Sequence, residues 1–140
     1  MARIIKLNDG GNELTFEIKA MSAIHGEKWF IRAVKLLGEN VDITQAKRSP
    51  EKVLQMLCAM PFDEAYRLLN ELLGCVSKID GKIKTQVTIE DLEGYISHPA
   101  TIFTLRKEAF TENLGFFTEL YELFIRELGS MNKIAGKSKG

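Results

Sequence analysis

The stretch Phe62-Asp63-Glu64-Ala65-Tyr66-Arg67-Leu68-Leu69-Asn70-Glu71-Leu72-Leu73 decides the fold class. Phe62, Ala65, Tyr66, Leu69, Leu72 and Leu73 recur at 3–4–3 spacing, which sets them on one face of an α-helix. Asp63 and Glu64 fall in its first turn, where the helix dipole favours negative charge. Gly74 is the expected stop. Such a stripe needs a partner surface, and the flanking sequence offers helices on both sides.

Towards the N-terminus, Ser49-Pro50 predicts a helix opening: a capping hydroxyl, then a proline with no N–H to leave unpaired. Val53, Leu54, Leu57 and Cys58 line that helix until Pro61 ends it. Ser22 is the expected N-cap of an earlier helix, in which Ile31, Val34 and Leu37 share a face with Phe30. Gly38 is its expected stop, and a polar link follows over 39–48. Towards the C-terminus, residues 78–86 are polar, with a turn at Asp80-Gly81 and a short strand expected over 83–87. Thr88 predicts an N-cap for a short helix to Ile96, with Asp91 in the capping-box position. Pro99 opens a helix to about Asn113 that bears Ile102, Phe103, Ala109 and Phe110. Gly115 is expected to break it.

A final helix is expected over 116–128, with Phe116, Phe117, Leu120, Tyr121, Phe124, Ile125 and Leu128 on its apolar side. Thr118, Glu119, Glu122, Arg126 and Glu127 make its polar side. At the other end of the chain, Asn8-Asp9-Gly10-Gly11-Asn12 is a turn cluster. It separates a β-prone run over 3–7 from Leu14, Phe16 and Ile18, which alternate with Thr15 and Glu17. The predicted fold is therefore mainly α, in the α+β class: one helical domain over 1–129 with a small N-terminal hairpin over 1–19. The residues over 130–140 form a basic tail without acids, expected to be flexible.

Composition narrows the function. The chain has 140 residues, 45% of them apolar and 27% charged, enough for one core. Nineteen Lys and Arg balance nineteen Asp and Glu, so the accumulated positive charge of a dedicated nucleic-acid binder is missing. No run approaches the roughly 18 apolar residues of a membrane span. The opening Met1-Ala2-Arg3-Ile4-Ile5-Lys6 lacks the pattern of a signal peptide. Two cysteines fit a reducing compartment. A soluble, intracellular protein is expected.

Chemistry-bearing motifs are sparse. His25 and His98 sit at expected helix starts and outside any nucleophile elbow, so surface or capping roles are expected. Two cysteines and two distant histidines do not make a zinc site. Cys58 falls on an apolar stripe and is expected to be buried, with Cys75 the more exposed. Gly129 and Ala135-Gly136-Lys137-Ser138 share letters with a P-loop, but with six intervening residues and no preceding strand. The pairs Asp63-Glu64 and Glu90-Asp91 serve helix first turns. Trp29 is expected to pack on the hairpin rather than stack on bases. No catalytic residue, cofactor or metal is expected. The aromatic stripe over 116–128 has two readings: a central core helix, or a groove for a partner's apolar helix, with Phe116, Phe117, Leu120, Tyr121 and Phe124 as the partner-binding candidates.

Three segments together resemble the tail assembly chaperones of long-tailed, non-contractile bacteriophages. They are Trp29 in the first helix, Met60-Pro61-Phe62-Asp63-Glu64-Ala65 leading to Glu71-Leu72-Leu73, and Leu105-Arg106-Lys107-Glu108-Ala109-Phe110 followed by Gly115-Phe116-Phe117. The resemblance spans residues 20–128. It implies a non-enzymatic holdase of the host bacterial cytoplasm that binds the tape measure protein. It also implies help for tail tube protein to polymerise, absence from the finished tail, and a homo-oligomeric state. It defines no motif for the binding residues. The family commonly makes a longer product by ribosomal frameshifting, and Gly136-Lys137 is compatible with a slippery site. The alternative reading is a small helical adaptor or regulator of another protein or a nucleic acid.

Overall fold

The computed structural model describes residues 2–37, 49–123 and 126–127. Gly38 and the 39–48 link lie outside these residues, as do Phe124, Ile125, Leu128 and the tail. Strands β1 (Arg3–Asp9) and β2 (Asn12–Ile18) form the expected N-terminal hairpin. Gly10 and Gly11 join them at φ +61 and +103, the left-handed backbone that a two-residue type I′ turn requires. β1 alternates between half-buried and exposed positions, and Phe16 and Ile18 of β2 are wholly buried.

The hairpin is only half of the sheet. β3 (Val76–Asp80) and β4 (Ile83–Gln86) extend it to four antiparallel strands in the order β1-β2-β3-β4. Ile18 pairs with Val76 and Phe16 with Lys78. β3 carries no period-two apolar pattern, because Lys78 shares the inward row with Phe16. Its ammonium lies 5.0 Å from the centre of the Tyr95 ring, so a cation–π contact fills a position where an apolar residue would be expected. β4 is exposed along its whole length and has no apolar face to detect. The turn between them puts Gly81 at φ +62, as expected from Asp80-Gly81.

Three helices are inserted between β2 and β3: α1 (Ala23–Leu37), α2 (Pro50–Cys58) and α3 (Phe62–Leu72). A short 3₁₀ turn at Leu73–Cys75 leads into β3. After the sheet come α4 (Ile89–Tyr95), α5 (Pro99–Glu112) and α6, residues 114–123. Thr88 caps α4 as expected, its hydroxyl accepting from the Asp91 N–H at 3.2 Å. Ser49 does not cap α2; its hydroxyl donates to Glu51 instead.

One buried cluster joins Phe16 and Ile18 of the sheet to residues of every helix. Several faces are turned relative to the sequence reading. On α1 the buried set is Gly26, Trp29, Phe30, Ala33 and Leu37, and Ile31 lies outside it. At ~100° per residue, Ile31 is about 140° from the centre of that set. Cys58 is about 90° from the Val53–Leu54–Leu57 centre and is exposed, whereas Cys75 is buried. The two cysteines thus exchange their expected environments. Helix α5 breaks at Asn113, with Gly115 helical and exposed. Asn113 is buried and accepts from the Met21 N–H at 2.7 Å while donating to the Ala109 carbonyl at 2.8 Å. Its amide thereby ties α5 to the start of α1.

Strand β1 is clamped to α5 at both ends. The buried Asp9 carboxylate accepts from the N–H groups of Ser97 (2.8 Å) and His98 (3.1 Å) and from the Thr101 hydroxyl (2.8 Å). At the far end Arg3 pairs with Glu108 at 2.7 Å and Glu112 at 3.0 Å. Negative charge meets the N-terminus of α5 and positive charge meets its last turns, as the helix dipole favours. The lengths match: seven strand residues span about 23 Å and fourteen helical residues about 21 Å. Gly10 belongs to this junction, since a Cβ there would lie 2.2 Å from the His98 ring.

The Ser97 N–H above all, then the Thr101 hydroxyl and His98, hold the Asp9 carboxyl below its ordinary range against the opposing effect of burial. Stability from this group is present above pH 3.8 and is lost as pH falls through the lowered folded-state value. Asp9→Asn is therefore expected to lower the urea midpoint at pH 7 and to flatten its decline below pH 3.8. An acid decline as steep in Asp9→Asn as in the wild type would contradict this assignment.

Candidate functional site

The aromatic stripe of α6 divides between core and edge. Phe117 is wholly buried, stacked on Trp29 at 5.0 Å and 12°, and 5.8 Å from Phe110. Phe116, Leu120 and Tyr121 are half-buried against the same cluster, and Phe124 lies outside the described residues, as do Gly136 and Lys137. The Phe116 ring approaches α1 so closely that a Cβ on Gly26 would meet it at 2.8 Å. Thr118, expected on the polar side, is also buried, its hydroxyl donating to the Leu114 carbonyl at 2.8 Å. Phe117 is thus held by the core and is not free for a partner in this arrangement. Trp29 is buried too. Its ring lies against Phe110 and Phe117, and its indole N–H donates to the Leu68 carbonyl at 2.9 Å. The expected stacking partner was the hairpin; the ring contacts are with α5 and α6.

The exposed aromatic surface is on α3. Phe62 is 71% exposed and Tyr66 37% exposed, although both belong to the stripe that defines the helix. The buried set there is Ala65, Leu68, Leu69 and Leu72. Leu68 draws the centre of this set round the helix, leaving Phe62 about 70° and Tyr66 about 110° from it. The two rings stack on each other at 5.0 Å and 18°. Arg106 of α5 lies on Tyr66, with its guanidinium carbon 5.4 Å from the ring centre, and donates to the Asn70 side-chain oxygen at 2.8 Å. Its Nε is buried and has no hydrogen-bond partner. Phe103, one turn before Arg106, is 40% exposed. The result is an aromatic step edged by a guanidinium. The signal available in the sequence is Leu68, which, added to the 3–4–3 stripe, widens the apolar arc of the helix.

The groups able to do chemistry elsewhere serve the scaffold. The Ser22 hydroxyl lies 2.9 Å from His25 Nδ1 at the start of α1, and among the described residues no carboxylate orients that ring. Both line an open cleft of about 710 Å³ that also includes Arg32 and Glu71, which pair with each other. His98 occupies the N-cap position of α5 without a side-chain capping bond, its ring 3.3 Å from Asp9. Burial pushes the Cys75 thiol pKa up, against a thiolate. Among the described residues no group of three or more His, Cys, Asp or Glu is placed to hold a metal ion, and no helix is long and apolar enough to cross a membrane. Comparison with known proteins finds no matching family model, no matching curated protein and no matching solved structure.

Core and surface aromatics should separate in stability. Phe117→Ala removes a wholly buried ring and is expected to cost about 3–5 kcal/mol in urea unfolding. Phe62→Ala is expected to change stability by at most about 0.5 kcal/mol. Equal losses would contradict the placement of the two rings.

Proposed function

We propose that the chain is a tail assembly chaperone of a long-tailed bacteriophage. It is a non-enzymatic holdase that binds the tape measure protein and assists tail tube protein to polymerise around it. It works in the host bacterial cytoplasm and leaves before the tail is finished. The observation that carries this reading is the Phe62 ring, 71% exposed and stacked on a half-covered Tyr66, on a helix whose other apolar residues are packed. A binder that covers apolar helical surface on its client removes that surface from self-association. Phe62 of the step lies within Met60-Pro61-Phe62-Asp63-Glu64-Ala65, one of the segments on which the resemblance rests. Arg106 and Phe110 belong to another, and Trp29 and Phe117 meet in the core.

The test is co-expression with the tape measure protein encoded by the same phage or prophage. Soluble tape measure is expected in the presence of this chain, and aggregated tape measure in its absence. A tape measure that stays insoluble at every ratio would overturn the chaperone reading. A salt-dependent shift on mixed oligonucleotides would then favour the adaptor.

A further inference from the structure

We propose that the face formed by α3 and α5 docks an amphipathic helical segment carrying a carboxylate side chain beside its apolar residues. The inference rests on the chaperone reading and names the chemistry of the client segment. Arg106 is its centre. Its neighbours on α5 are paired: Lys107 with Glu51, and Glu108 and Glu112 with Arg3. Arg106 has only the neutral Asn70 oxygen and the Tyr66 ring, and its buried Nε has no acceptor. An unpaired buried donor on a charged group is unfavourable and rare in folded proteins.

A carboxylate arriving from a partner would pair with the part of the guanidinium that Asn70 and Tyr66 leave open, the charge-assisted contact that guanidinium groups favour. Apolar residues four apart on that partner would cover Phe62 and Tyr66, which are themselves four apart. Arg106 itself is a cation at the edge of the step with no carboxylate beside it, which favours a partner that brings one.

The experiment uses the whole purified chain and three dye-labelled, 20-residue amphipathic helical peptides with one leucine stripe. They differ only in carrying Glu, Gln or Lys beside the stripe. Fluorescence anisotropy is expected to give at least about tenfold tighter binding for the Glu peptide than for the Lys peptide, with the gap narrowing as salt rises. Arg106→Gln is expected to remove the preference and keep residual apolar binding. Phe62→Ser is expected to weaken all three, and Leu120→Ala none. Equal binding of the Glu and Lys peptides, or a preference that survives Arg106→Gln, would overturn the proposal. So would a dimer of the free protein that Phe62→Ser dissolves, which would assign the face to a second copy. Docking of the Glu peptide beside an insoluble tape measure would remove the chaperone reading and keep the site. Solubilisation that survives both Phe62→Ser and Arg106→Gln would do the reverse.

Discussion

The carboxylate of Asp9 holds the architecture together. A hairpin alone is marginal in water and must be fixed to something else. Here the fixing is polar and specific: one buried carboxylate satisfies two backbone N–H groups and a hydroxyl at the start of α5, some 90 residues away in sequence. The N–H groups at a helix start have no partner within the helix and attract an anion. Arg3 fixes the other end of the same strand to the last turns of the same helix. With both ends set, Ile5 and Leu7 between them are half-buried against the common core. Phe16 and Ile18 of the paired strand then enter the common core.

The helical half depends on that placement. α5 carries Leu105, Ala109 and Phe110 into the core, and Asn113 at its end binds the chain entering α1. α1 in turn brings Trp29 between Phe110 and Phe117, where the indole N–H also reaches the Leu68 carbonyl of α3. Strand, helix ends and aromatic cluster thus form one connected set. Phe117 of the α6 stripe is drawn into this set, with Phe116, Leu120 and Tyr121 half-buried against it. The α3 stripe is wider than the set can cover, and Phe62 and Tyr66 remain outside.

Much of this order is legible in the sequence where local chemistry decides it. Gly10-Gly11, Thr88, Pro99 and the 3–4–3 spacing of α3 each act within a few residues, and the elements form where they point. Long-range chemistry hides the rest. Lys78 takes an inward strand position because the Tyr95 ring is there to receive it, which no periodicity reveals. α5 ends near Asn113 as its expected range has it, but Gly115 continues as helix, and the Asn113 amide is held by Met21 and Ala109 across the fold. Spacing alone identifies an apolar stripe but not its centre, so Leu68 turned α3 and exposed two aromatics expected inside. The orphaned Nε of Arg106 depends wholly on three-dimensional neighbours.

An exposed Phe62 ring stacked on Tyr66, on a helix whose other apolar residues are packed, is the feature that joins structure to the proposed role. The surface is held on a regular helix, next to a guanidinium steadied by Asn70 and Tyr66, so little ordering is needed when a client arrives. The most direct measurement is hydrogen exchange of the chain alone and with the tape measure protein proposed as its client. The account expects added protection over residues 62–70 and 103–107, with 116–120 unchanged. Protection gained over 116–120 while 62–70 stays as in the free protein would contradict it.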